Sequence, residues 1–254
     1  MNPTLALTGK VAVVTGGSRG IGRAIVQGFA EAGADVVIAS RKLESCEIAA
    51  AEVEAATGRG ALAVRCHVAS WADCDQLVEQ TYDTFGHCDI LVNNAGMSPL
   101  YDALTDITED YYDKVHGVNL KGPFRLAVHF GARMAAADGG SIINVGTIGS
   151  LRPGSREIVY ACAKAGLNAL TVAIAEAYGP KVRCNGLLPG AVMTDVTKAW
   201  SEEQRANAGQ NAPLRRPGVP EDYVGPALWL ASDASAFVTG EAIRVDGGAC
   251  RQMP

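Results

Sequence analysis

The sequence predicts an α/β fold: one doubly wound, predominantly parallel seven-stranded sheet with helices on both faces, in a single domain. Three observations predict it. Short apolar, β-branched runs alternate with helical stretches along the whole chain. The first run passes straight into a glycine turn that opens a helix. The 254 residues suit one domain with a substantial core, and no linker, internal repeat or low-complexity segment divides them.

The first strand is predicted at 11–15, an apolar β-branched run. Gly16-Gly17-Ser18-Arg19-Gly20-Ile21-Gly22 follows, then an Ala/Ile/Val/Phe pattern at helical spacing from Ala24 to Ala32. Strand, glycine turn and helix N-terminus together make an anion site, because free backbone N–H groups and the positive end of the helix dipole face the ligand. Gly16, Gly20 and Gly22 let the backbone approach a pyrophosphate and let the helix pack on the sheet. The remaining strands are predicted at 35–39, 61–66, 90–92, 141–145, 181–187 and 242–245, with helices between them. Folds of this kind bind ligands beyond the C-terminal strand ends. The loosely patterned stretch 194–220 reads as a substrate loop or lid.

Composition narrows the function. A net charge of −5, with acidic and basic residues dispersed, offers no basic patch for nucleic acid. Gly, Pro and charges interrupt the apolar runs, so no membrane span is expected. The N-terminus has no basic region followed by an apolar one, so no signal peptide is expected either. Seven cysteines without a Cys-x-x-Cys pair, Cys66, Cys162 and Cys184 among them, read as small buried hydrophobes in a reducing cytoplasm. Four scattered histidines show no metal-ligand spacing, so no metal site is expected.

Tyr160 and Lys164 stand four apart in Val159-Tyr160-Ala161-Cys162-Ala163-Lys164. On a helix they share a face. An ammonium beside a phenol favours the phenolate and is expected to lower the tyrosine pKa, suiting it to proton transfer.

With the glycine turn, Asn93-Asn94-Ala95-Gly96, Asn119 in Gly117-Val118-Asn119-Leu120, the Tyr160/Lys164 pair, Pro189-Gly190 with Thr194, and Asp246-Gly247-Gly248, the chain resembles the classical short-chain dehydrogenase/reductases. The motifs run in family order over nearly the whole chain. The resemblance implies a Rossmann-like enzyme that exchanges a hydride between a nicotinamide cofactor and a carbonyl or secondary alcohol. It implies Tyr160 as general acid/base, Lys164 holding the nicotinamide ribose, and Asn119 anchoring a water that leads to Lys164. The family's catalytic serine falls at Thr147, thirteen residues before the tyrosine; a threonine keeps the hydroxyl and adds a methyl. Cofactor contacts are expected from Gly16, Ser18, Arg19, Gly20, Ile21, Gly22, Asn93, Ala95, Gly96, Pro189, Gly190, Val192 and Thr194. At the adenine, His67 before Val68 stands where the family usually has an aspartate.

Ser40 and Arg41 end the second strand where an acidic residue would favour NAD. With Arg19 they supply two guanidinium groups and a hydroxyl, which suit a 2′-phosphate, so NADP(H) is expected, with NAD(H) the alternative. Substrate walls are expected at 97–101, 151–158 and 188–200, with Arg152, Arg156 and Glu157 as candidates for polar selection. Two other functions remain open. A 3-oxoacyl thioester reductase would need a basic patch for an acidic carrier, with Arg125, Arg133 and Arg152 as scattered candidates. A non-catalytic NADP-binding regulatory protein is the other. By resemblance a homo-oligomer is expected, tetramer or dimer, paired through helices at 108–134 and 158–177 and through residues 249–254.

Overall fold

In a computed structural model of the chain, residues 5–193, 202, 208–210 and 212–250 are described. Seven parallel strands form one sheet in the order β3-β2-β1-β4-β5-β6-β7. They are β1 (Val11–Thr15), β2 (Asp35–Ser40), β3 (Ala61–Arg65), β4 (Ile90–Asn93), β5 (Gly140–Val145), β6 (Val182–Pro189) and β7 (Ala242–Val245). The seven helices that matter here are α1 (Gly20–Glu31), α2 (Leu43–Thr57), α3 (Trp71–Phe85), α4 (Glu109–His116), α5 (Gly122–Ala136), α6 (Ile158–Tyr178) and α7 (Val224–Ala231).

The interior strands β1, β2, β4, β5 and β6 are buried on both faces, which is why they read as continuous hydrophobic runs. Ile25, Phe29, Val53 and Leu230, from α1, α2 and α7, cover one face. Leu77, Leu126, Phe130 and Ile174, from α3, α5 and α6, cover the other. Strand order reverses between β1 and β4, so a crevice opens beyond their C-terminal ends. Local chemistry sets the helix limits. Ser70 caps α3 by accepting the Asp73 N–H at 3.2 Å, and Gly58 and Gly86 end α2 and α3 with φ of 67° and 77°.

Four expectations need correction. β6 runs past residue 187, because Leu188 and Pro189 register with Arg244 and Val245 of β7. The helix expected over 108–134 is broken: a π turn at Gly117–Lys121 separates α4 from α5. The neighbourhood leaves little room there, since a Cβ on Gly122 would collide with the Val68 carbonyl. An apolar stretch of membrane-spanning length does exist: α6, with 21 residues and a mean hydropathy of 1.6, is long and apolar enough. It packs Val159, Leu167, Ile174 and Ala175 into the fold and buries Lys164. Finally, Cys162 is exposed, whereas the other six thiols are buried; all seven are free.

The expected lid at 194–220 lies mostly outside the described residues. At its base Val192 pairs with Gly218, with the Met193 N–H on the Gly218 carbonyl at 3.0 Å and the Gly218 N–H on the Ala191 carbonyl at 2.8 Å.

Candidate active site

The glycine turn lies at the β1–α1 junction, and its shape depends on missing side chains. Gly16 and Gly20 have φ of 65° and 56°, where glycine is favoured. A Cβ on Gly16 would come within 2.8 Å of Asn94 Nδ2, and one on Gly22 would collide with the same atom and with the Gly16 carbonyl. Arg19 precedes α1 without capping it, and no acidic residue lies in the first turn. The first N–H groups of the helix and its positive end are thus uncompensated by a side chain. A narrow backbone cradle with a positive rim fits a dinucleotide pyrophosphate.

Asn94 and Thr15 fasten this cradle to β4. Asn94 Nδ2 donates to the Thr15 carbonyl at 2.9 Å and to the Gly16 carbonyl at 3.3 Å. Thr15 Oγ1 accepts the Asn94 and Ala95 N–H groups at 3.0 and 3.1 Å and donates to the Val92 carbonyl at 3.2 Å. Neither residue was among the expected site residues, although the Asn-Asn pair was the visible signal. The side chain of Asn93 turns the other way. It is buried, donating to Asn144 Oδ1 at 2.9 Å and to the Pro123 carbonyl at 3.5 Å. Only its backbone is left to meet a ligand in the crevice.

At the end of β2, Ser18 Oγ donates to Ser40 Oγ at 3.2 Å, and Ser40 Oγ contacts the Lys42 carbonyl and Cys46 Sγ. Arg19 and Arg41 are exposed and have no ion-pair partner among the described residues. At the end of β3, the His67 N–H is held by Asp73 Oδ2 at 2.9 Å, while its ring is half-buried. Val68 is buried beneath Gly122. Ile21 is half-buried in the first turn of α1. Across the crevice, Pro189 ends β6 and Gly190 donates to the Val245 carbonyl at 3.2 Å. A Cβ on Gly190 would meet Asp246 Cβ at 2.9 Å, so β6 and the end of β7 approach closely there. Val192 is buried beside these residues, and Thr194 lies outside the described residues.

Tyr160, Thr147 and Lys164 come together beyond β5. The Thr147 hydroxyl lies near enough to the Tyr160 phenol to lower its pKa, and it accepts the Gly149 N–H at 3.2 Å. Lys164 Nζ is buried, donates to the Val145 carbonyl at 2.7 Å and lies 5.8 Å from the Tyr160 ring centre. Gly96 completes the wall: a Cβ there would sit 3.2 Å from Asn119 Oδ1 and 3.8 Å from Lys164 Nζ. Asn119, within the π turn, fixes Met97, donating to its carbonyl at 2.8 Å and accepting its N–H at 3.3 Å. It also donates to the Val115 carbonyl at 2.9 Å.

The expected lowering of the Tyr160 pKa by Lys164 is reversed. Burial raises the phenol, the Glu157 charge raises it further, and only the Thr147 hydrogen bond pulls it down. Burial also lowers Lys164 to about 7, so its charge is only partial near neutral pH.

This geometry defines a dinucleotide-binding α/β oxidoreductase. Residues 16–250 match the family model described as enoyl-(acyl carrier protein) reductase. The chain is 39% identical to the L-rhamnose 1-dehydrogenase (NAD(P)(+)) of Sphingomonas sp. (strain SKA58), over 95% of this chain and 96% of that protein. Among solved structures it superposes on L-sorbose reductase from Gluconobacter frateurii, complexed with NADPH and L-sorbose, with a TM-score of 0.92 at 30% identity, covering 98% of this chain and 100% of that one. A Beutenbergia cavernae protein assigned as an NAD(P)-dependent gluconate 5-dehydrogenase, with NADP bound at low occupancy, gives 0.91 at 35%, covering 97% and 98%. The chain belongs to the short-chain dehydrogenase/reductase family. Its relatives place it among the NAD(P)-dependent oxidoreductases of alcohols and carbonyls.

Proposed function

We propose that this chain interconverts a carbonyl and a secondary alcohol with NADP(H), using Tyr160 as general acid/base. The observation that carries this reading is the meeting of Tyr160, Thr147 and Lys164 beside the Gly96 wall. Bound NADPH supplies the hydride, and NADP⁺ accepts it in the reverse direction. The cradle of Gly16, Gly20 and Gly22 holds the pyrophosphate, and His67 and Val68 border the adenine. Ala95, Gly96, Pro189, Gly190 and Val192 flank the nicotinamide half. Arg19, Arg41 and Ser40 form a cationic, hydrogen-bonding corner for a 2′-phosphate, which favours NADP(H) over NAD(H).

Thr147 donates to the carbonyl oxygen and steadies the charge that develops there. The Tyr160 hydroxyl gives its proton to that oxygen, or takes it back from the alcohol. Its raised pKa keeps the phenol protonated at neutral pH, which suits the reducing direction. Lys164 binds the nicotinamide ribose beside Tyr160. Asn119 holds Met97 and the π turn against this group.

The sugar- and sugar-acid-linked names of the relatives support a small hydroxylated substrate. The thioester reading has less support, because Arg125 and Arg133 are each paired with a carboxylate, Asp75 and Glu79 respectively. Seven free thiols support a reducing cytoplasm. Exposed Phe124 and Val172, on α5 and α6, support pairing of these helices in a homotetramer or dimer.

The test is NADPH consumption against small ketones, diketones, ketoses, a steroid ketone and an acetoacetyl thioester. Turnover should fall at least about a thousandfold in Tyr160→Phe, with NADPH binding retained. Full activity in the variant would refute the acid/base role.

A further inference from the structure

The loop before α6 places one carboxyl beside the reaction centre. Glu157 immediately precedes α6, and its side chain is half-buried. A Cβ on Gly149 would lie 2.5 Å from Glu157 Oε1, so the bare glycine makes room for the carboxyl. The Gly149 N–H in turn donates to Thr147 Oγ1 at 3.2 Å. Glu157 and the hydroxyl assigned to the reacting oxygen therefore flank one residue. Tyr160 feels the same carboxyl, since the Glu157 charge raises the phenol.

Most of the hydrogen-bonding capacity of this carboxyl is unused. A carboxyl offers about four lone-pair positions. Glu157 takes a backbone hydrogen bond from Gly154 and has no side-chain partner among the described residues. Arg152 and Arg156, in the same loop, are exposed and form no ion pair with it. Tyr101 reaches the loop too, but its hydroxyl is committed: it donates to the Ser155 carbonyl at 2.6 Å and accepts the Ile158 N–H at 3.0 Å. Burial raises the Glu157 carboxyl.

We propose that Glu157 is a specificity-determining residue: it bonds a hydroxyl on the carbon next to the reacting one and selects polyhydroxylated substrates over plain ketones and alcohols. The inference rests on the reading that Thr147 and Tyr160 hold the reacting oxygen. The Thr147 hydroxyl and the Glu157 carboxyl, on either side of Gly149, would take neighbouring oxygens of a sugar or polyol. A substrate without the second hydroxyl leaves a partly desolvated carboxyl unpaired, and sites of that kind discriminate strongly.

The test compares kcat/KM for hydroxylated ketones and their deoxy counterparts: dihydroxyacetone against acetone, and a 2-ketohexose against hexan-2-one. The wild type should prefer the hydroxylated member of each pair. Glu157→Ala should cut that preference at least about tenfold, and Glu157→Gln by less. Gly149→Ala, which leaves Glu157 in place but fills its space, should cut the preference in the same direction. The NADPH dissociation constant, read by fluorescence, should stay within about twofold in the Glu157 variants. Equal losses on both members of a pair would reduce Glu157 to a structural residue and overturn the inference. A wild type without any preference would overturn it too. A wild type that binds NADPH and turns over nothing in the wider carbonyl panel would overturn the functional reading itself, and the inference with it.

Discussion

Asn168 Nδ2 donates to Ser150 Oγ at 2.9 Å, and Ser150 Oγ donates onward to the Thr147 carbonyl at 2.6 Å. Asn168 sits one turn beyond Lys164 on α6, so the helix that carries Tyr160 and Lys164 also holds the turn that carries Thr147. The three groups are thereby tied into one body. Ser150→Ala and Asn168→Ala should each lower kcat about tenfold, with NADPH affinity unchanged, because one hydrogen bond is worth about 1 kcal/mol and misplacement of Thr147 adds to its loss. Steady-state kinetics beside NADPH titration checks this. Unchanged kcat in both variants would show that Thr147 needs no such support.

Cofactor choice depends on two exposed guanidinium groups. The double variant Arg19→Ala/Arg41→Ala should raise KM for NADPH at least about tenfold and leave KM for NADH within about twofold, since charge-assisted bonds to a phosphate are the strong ones. A parallel rise in both constants would contradict the assignment of this corner to the 2′-phosphate.

The pH dependence follows from the raised phenol. Alcohol oxidation needs Tyr160 deprotonated, so its kcat should climb with pH through the alkaline range. Carbonyl reduction needs the proton and should fall over the same range. The Tyr160→Phe variant, with its residual turnover, should lose both slopes. pH–rate profiles in the two directions decide the matter.

Stability carries the opposite signature at Lys164. Its folded pKa, about 7, lies below the unfolded value near 10.4, so the unfolded chain binds more protons between those values. The slope of unfolding free energy with pH is therefore positive in that window. This destabilising contribution is fully present below about pH 7 and fades towards pH 10. Lys164→Met should accordingly be inactive yet more stable at pH 7, by about 2 kcal/mol, with the gap closing as pH rises. Denaturant melts at pH 7 and pH 9.5 would reveal it, and a gap independent of pH would contradict the lowered pKa.

The fold was legible because burial on both faces writes the interior strands, such as Val11–Thr15, as short apolar runs, and the edge strand Ala242–Val245 keeps enough apolar residues to read as one. The strand–glycine–helix junction was legible for a similar reason: Gly16, Gly20 and Gly22 are demanded locally. The π turn was not: residues 108–134 read as one unbroken helical pattern, and the close contact of Gly122 with Val68 beside the turn is long-range. Spacing put Tyr160 and Lys164 on one face, but spacing is silent about burial, and burial decides the sign of both pKa shifts. The neighbouring asparagines looked interchangeable in sequence. Strand alternation sends Asn93 into the layer beneath the sheet and Asn94 towards the glycine turn.

The Thr15–Asn94 fastening has a consequence for anyone recombining this chain with its relatives. Its two halves are 79 positions apart in sequence, yet they form one stitch across the seam of the sheet. A crossover between positions 16 and 93 draws the two residues from different parents. Where one parent lacks its half, the hybrid leaves backbone amides and carbonyls at the mouth of the crevice without partners. Such hybrids should fail at cofactor binding before they fail to fold, so libraries built from this scaffold are better joined after Gly96.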